Sequence, residues 1–293
     1  MLASVGALAN RGGGPKHPSF LRPTRGRVAP MKRLLLLVTL ALMLAAAMAL
    51  SGLAQAASPS SKCQQAAASL GISGSYKYIA GSDKKNDNFT SKGTEGADVF
   101  CGFGGNDSIE TLREGDIFIG GAGNDTVSEN YGTFYGGEGN DWVTAPGDSE
   151  GYNWGTFYGG AGNDFVDGYN VGTFYGEAGD DDVSDNYGGT FNGGEGNDFV
   201  EFIHGGTFNG EEGFDRAIVN LGTFNGGADD DTVEYNERDA TFYGGAGNDK
   251  VSETNYGTFY GGADDDFVSE NYGTFYGEEG NDFASENYGT FVQ

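Results

Sequence analysis

The chain of 293 residues is poor in proline (6), cysteine (2) and histidine (2), and carries 16 basic residues against 43 acidic ones. Scarce proline, with no glycine at strictly every third place, excludes a collagen-like triple helix, although 54 residues are glycine. Two cysteines and the single histidine beyond the N-terminal region, His204, cannot assemble a zinc site of the usual ligand set. The deficit of Lys and Arg leaves a net charge of -27. Nucleic acid and anionic membrane surfaces both demand positive charge, so neither is expected as a partner. Long apolar runs are also lacking, with one exception near the N-terminus.

That exception runs from Leu34 to about Leu50, after Lys32 and Arg33 and before Ala54-Gln55-Ala56. A basic start, an apolar stretch and a small-x-small site read as a secretory signal peptide cleaved near Ala56. The alternative is an uncleaved anchor, since the run nearly reaches spanning length. Membrane contact is expected only in that case. Met31 reads as the true start, which makes 1-30 an overhang, 31-56 the signal, 57-92 an N-terminal capping segment and 93-293 a repeat domain. Residues 57-293 then carry a net charge of about -34. An exported chain meets an oxidising compartment, where Cys63 and Cys101 are expected to pair; two separate buried thiols are the alternative.

The repeat domain has a short period. Thr-Phe recurs from Thr133-Phe134 to Thr290-Phe291, mostly every 16 to 18 residues, with one six-residue insertion near Pro146–Gly151. Each unit has two halves: Gly136-Gly137-Glu138-Gly139-Asn140-Asp141-Trp142-Val143 shows the first, and Ser269-Glu270-Asn271-Tyr272-Gly273-Thr274-Phe275-Tyr276 the second. Glycine at this density is ruinous to helices. Two short β-prone stretches and two turns per unit instead suit one coil of a solenoid. Alternation within each stretch predicts that Val143, Val166, Val183, Val200, Val233, Val251, Val268 and the Phe column point inward. Ten coils at about 4.8 Å each give a rod of about 48 Å. A core of one Val and one Phe per coil is thin, so something further must hold the turns.

The residue before the first strand of each unit is aspartate: Asp98, Asp107, Asp125, Asp141, Asp164, Asp181, Asp198, Asp215, Asp231, Asp249, Asp266 and Asp282. Stacking puts these carboxylates in rows, where they repel unless a cation lies between them. Calcium accepts six to eight oxygens and mixes carboxylates with backbone carbonyls, which a glycine-rich turn can aim inward. A solvated turn is the plain alternative, since Asn-Asp and Gly-Asn are ordinary turn pairs.

Gly120-Gly121-Ala122-Gly123-Asn124-Asp125-Thr126-Val127 and Gly159-Gly160-Ala161-Gly162-Asn163-Asp164-Phe165-Val166 resemble the hemolysin-type calcium-binding nonapeptide, or RTX repeat. The resemblance spans roughly 93-293. It implies an all-β fold, a right-handed parallel β-roll or β-solenoid, ordered by Ca2+, with the Asp column as ligands. About ten ions are then expected, lowering the charge to about -14.

Several departures from the pattern sharpen the expectation. Asp98, Asp107, Asp116 and Asp125 are nine apart, so their turns alternate between two edges, with Asp116 in a degenerate copy. Later units keep the Asp loop on one edge only and place an Asn-Tyr ladder, such as Asn255-Tyr256 and Asn271-Tyr272, on the other. Asp229 and Asp264 replace the fourth glycine of their loops, a place that Asp tolerates better than most residues. The loop from Gly210 to Ala217, with Phe214 in place of Asn, predicts the weakest coil.

Other readings stay open. Asn88, Asn106 and Asn124 begin glycosylation sequons, two of them by-products of the Asp motif. Outward Thr and Tyr ranks, such as Thr156/Tyr158 and Thr274/Tyr276, could meet a glycan, another surface polymer or ice, or simply suit exposed strands. A chain that stops in mid-repeat at Gln293 offers an open coil for self-association, or belongs to a larger repeat array. No acid pair breaks the period and no nucleophile sits beside a base, so no enzyme is expected. The expected setting is secreted and extracellular, with attachment at a cell surface as the alternative.

Overall fold

A computed structural model describes residues 57–293 apart from Ser91 and residues 145–149. The expected overhang (1-30), the signal segment (31-56) and most of the insertion lie outside the described residues. No helix among the described residues is long and apolar enough to cross a membrane.

The chain winds into a solenoid of two parallel sheets, one of 13 strands and one of 12, in which strands adjacent in a sheet alternate along the sequence. The first, here the Phe sheet, stacks Thr-Phe-x strands in strict register: Phe157 pairs with Phe134 and Phe174, and Phe259 with Phe242 and Phe275. From Phe134 to Phe291 the rings stack with centroids 4.6 to 4.9 Å apart and planes within 10°. The repeat period is therefore the strand spacing read out in aromatic rings. The second, here the Val sheet, pairs Val166 with Val143 and Val183, and Val251 with Val233 and Val268. The seven Val and the Phe from 134 to 275 are fully buried, as alternation predicted.

Asparagine completes the interior. Asn130, Asn153, Asn170, Asn186, Asn220, Asn236, Asn255 and Asn271 are fully buried. Each of seven Nδ2 groups donates to the Oδ1 of the next asparagine, at 2.7 to 2.9 Å, from Asn130 to Asn186 and again from Asn220 to Asn287. Most also donate to the carbonyl of a Thr that opens a Phe-sheet strand, as Asn236 does to Thr258. A buried amide is tolerable because both of its ends are engaged. Ile203 interrupts the ladder, fully buried between the Asn186 and Asn220 coils.

The insertion leaves this register untouched. Trp142–Val143 and Gly151–Asn153 both pair with the strand Phe165–Asn170, so Asn153 keeps its rung.

The N-terminal segment both winds and covers. Lys77–Ala80 pairs with Asp98–Gly104 as the first strand of the Phe sheet, so winding begins within residues 57–92. The segment also holds a short helix, α1 (Pro59–Ser69), with Pro59 in its first turn and Ser58 accepting the Ser61 N–H at 3.2 Å. Its Cys63 and Ala67 pack on Val99, Cys101 and Ile117, which face away from the Phe interior. The helix therefore lies against the outer face of the sheet. Cys63 and Cys101 are joined there by a disulfide.

Candidate calcium-binding edge

Each coil turns from the Phe sheet to the Val sheet through its glycine-rich loop, and the loop's aspartate points back into the turn. Asp107, Asp125, Asp141, Asp164, Asp181, Asp198, Asp215, Asp231, Asp249, Asp266 and Asp282 form one row, all buried. The Oδ1 of each accepts the backbone N–H of the Asp one coil earlier, as Asp141 does from Asp125 at 2.6 Å and Asp181 from Asp164 at 2.7 Å. Asp87 opens the row, accepting the Ser82 N–H and donating its own N–H to Asp107. Sequence reasoning missed it, because its loop has lost the glycine pattern. The recurrence of Asn86-Asp87-x-Phe89 ahead of Asn106-Asp107-x-Ile109 is the signal that remains.

Asp98 stands apart. It and Asp116 sit in the alternate turns, where the Asp98 N–H donates to Asp116 Oδ1 at 2.9 Å. Both Asp98 oxygens are engaged by Thr94 of its own loop. The structure thus brings eleven of the twelve sequence-predicted aspartates together and leaves Asp98 with a different partner, Asp116.

The eleven share a deficit. The second carboxylate oxygen, Oδ2, is buried in every one and has no hydrogen-bond partner. An isolated buried carboxylate is expensive, so it must take a proton or meet a cation. Burial pushes the pKa up to about 6 at Asp107, about 7 at Asp125, Asp215 and Asp249, about 8 at Asp141, Asp164, Asp181, Asp198 and Asp266, and about 9 at Asp231. The accepted backbone N–H pulls the other way, and neighbouring acids add to the rise at most of these positions.

Backbone oxygens line the same edge. The carbonyl of the loop's fourth residue is aimed at the same residue one coil on: a Cβ on Gly139 would lie 2.3 Å from Gly123 O, and one on Gly162 would lie 2.1 Å from Gly139 O. Among the described residues no three acidic, His or Cys side chains converge as a metal cluster. A cation held between coils would take carboxylates from successive loops and fill its shell with carbonyls and water. Such a mixed, all-oxygen set with loose geometry fits calcium and does not fit magnesium, which demands near-ideal octahedral packing.

The loops also hold non-glycine residues with left-handed backbone. Asp229 (φ 76°) and Asp264 (φ 83°) do so at the fourth position, as expected from sequence. Glu177, Glu211 and Glu278, with φ of 77°, 83° and 78°, do so at the second, which the sequence reading missed.

A family model described as the RTX calcium-binding nonapeptide repeat (4 copies) matches residues 90–113, 102–128, 133–145, 156–170 and 239–252. The chain is an RTX-type repeat protein. The matched segments contain Asp98, Asp107, Asp125, Asp141, Asp164 and Asp249. No curated protein and no solved structure matches the chain. RTX repeats bind Ca2+, and the solenoid stacks them at its glycine-rich edge.

Proposed function

We propose that this RTX protein is exported and that its solenoid orders when Ca2+ enters the row of loops from Asp107 to Asp282. The observation that carries this reading is the run of eleven buried Oδ2 atoms without partners. Without a cation those carboxylates oppose folding, and the hydrophobic core cannot outweigh them easily, since most coils bury only one large apolar residue from each sheet. With a cation they become the interaction that joins coils, so binding energy is folding energy. About ten ions shared between neighbouring loops are expected. Export is supported by the apolar run after Lys32 and Arg33, and by the Cys63–Cys101 disulfide, which persists in oxidising compartments. Extracellular calcium, at roughly millimolar levels, suits weak modular sites.

The test is a calcium titration followed by far-UV circular dichroism, with magnesium as control. A cooperative gain of β signal with calcium alone is expected. A spectrum already β-rich in chelator at neutral pH would sink the coupling of folding to binding.

A further inference from the structure

The outward column of the Phe sheet is built of two tyrosine stacks with a gap between them. Tyr135, Tyr158 and Tyr175 stack at 4.8 and 4.9 Å, and Tyr243, Tyr260 and Tyr276 at 5.0 and 4.8 Å, with planes within 8°. Inside a stack both faces of a ring are covered by its neighbours, leaving only edges for a ligand. The ends of the stacks differ. Tyr175 is followed in register by Asn192, Asn209 and Asn225, and only then by Tyr243. One face of Tyr175 and one face of Tyr243 therefore look at each other across three shorter side chains, and these rings are 37% and 45% exposed.

Four strand steps separate the two rings, about 19 Å. The floor is an amide chain: Asn209 Nδ2 donates to Asn192 Oδ1 at 2.8 Å, and Asn225 Nδ2 to Asn209 Oδ1 at 2.6 Å. Among the described residues no hydrogen bond engages Asn192 Nδ2 or Asn225 Oδ1, so a donor faces one ring wall and an acceptor the other. Thr190, Thr207 and Thr223 run alongside on the same outward face. Of the three strands, Thr190–Glu195 and Thr207–Glu212 carry Glu195, Glu211 and Glu212, and neither they nor Thr223–Ala228 contain a basic residue.

We infer that this recess is a binding site for a neutral polysaccharide. A sugar ring presents C–H groups to an aromatic face and hydroxyls to its rim, which matches two free ring faces above a floor of amides and hydroxyls. The span admits a sugar against each wall and about one more between them at van der Waals contact. The acidic surroundings disfavour uronic acids and sulfated chains. The site lies on the sheet face, away from the Asp edge, and is independent of whether calcium drives folding.

The full chain in calcium is incubated with insoluble cellulose, β-1,3-glucan and mannan, with immobilised alginate as the anionic control and ice as a further surface. Retention on at least one neutral polymer and none on alginate is expected. Asn209→Tyr fills the recess and should lower retention at least tenfold while leaving the β spectrum intact. Tyr175→Ala and Tyr243→Ala should each weaken retention about tenfold, and Tyr276→Ala, at the far end of its stack, should leave it unchanged. Retention by none of the neutral polymers, undiminished retention of Asn209→Tyr, a preference for alginate, or partition into ice alone would overturn the assignment.

Discussion

Gly136 has no side chain because Asp141 occupies the place one would take. A Cβ built on Gly136 lies 2.0 Å from Asp141 Oδ2 and 2.6 Å from the Gly159 carbonyl oxygen. The same relation joins Gly159 to Asp164 and Gly176 to Asp181. The first and sixth residues of each loop are thus one unit: glycine opens the room and aspartate fills it.

Gly159→Ala should therefore weaken both fold and metal binding at one loop. The methyl must displace a buried carboxylate, an overpacking cost of about 1–3 kcal/mol. Thermal unfolding in calcium should show a lowered midpoint, and calorimetry should show about one ion fewer. An unchanged stoichiometry would mean that the carboxylate is not held by its glycine.

Asp181→Asn separates the two roles of the aspartate. The amide keeps an oxygen for the Asp164 N–H, now accepted at 2.7 Å, but loses the charge. Calcium stoichiometry should fall by one to two ions. In chelator at pH 8 the same variant should be more stable than the parent, since a buried charge has been removed. Lower stability in chelator would show that the charge is already compensated without metal.

The row also predicts what acid does to the metal-free protein. The shifted aspartates have folded-state pKa values of about 6 to 9 against 3.8 for the ordinary group. Groups shifted upward hold protons in the fold that the unfolded chain gives up. Their contribution is fully present below about pH 4 and is lost as pH rises through about 6 to 9. In chelator, β signal should therefore grow on acidification from pH 9 to 5, and saturating calcium should flatten that dependence. β signal that falls on acidification in chelator would contradict the burial of these groups.

The Asn197 and Asp230 loops should be mended by Phe214→Asn. Elsewhere the exposed fifth loop residue accepts the backbone N–H of the next coil, as Asn124 does from Asn140 and Asp230 from Asn248. Phe214, 58% exposed, accepts nothing and leaves that chain broken. Restoring one hydrogen bond and removing an exposed ring should add about 0.5–1.5 kcal/mol. A midpoint that does not rise would place the weakness of this coil elsewhere, such as at Ala217.

Inside the other edge, Asn255→Ala should be the costly change. It leaves Asn236 Nδ2 without its acceptor and Asn271 Oδ1 without its donor, both buried. A loss of about 1–3 kcal/mol is expected by chemical denaturation, more than for Asn192→Ala on the open face. Equal losses would argue that the buried ladder contributes little.

The sequence by itself determined the coil. Period, strand positions, inward Val and Phe and the Asp loop are all legible, because each coil repeats one local pattern and its neighbours are copies of itself. Asp229 and Asp264 could be foreseen in left-handed backbone for the same reason. Only the tertiary structure decided what depends on the stacking of unlike residues or on unrepeated segments. Asp87 belongs to the row although its loop has lost its glycines, since its place is fixed by hydrogen bonds to Ser82 and Asp107. Helix α1 lies along the sheet because Val99 and Cys101 face outward there, which a single strand's alternation does not assign to a partner. The break between Tyr175 and Tyr243 is visible as letters, but it becomes a walled recess only when parallel register places three asparagines between two ring faces.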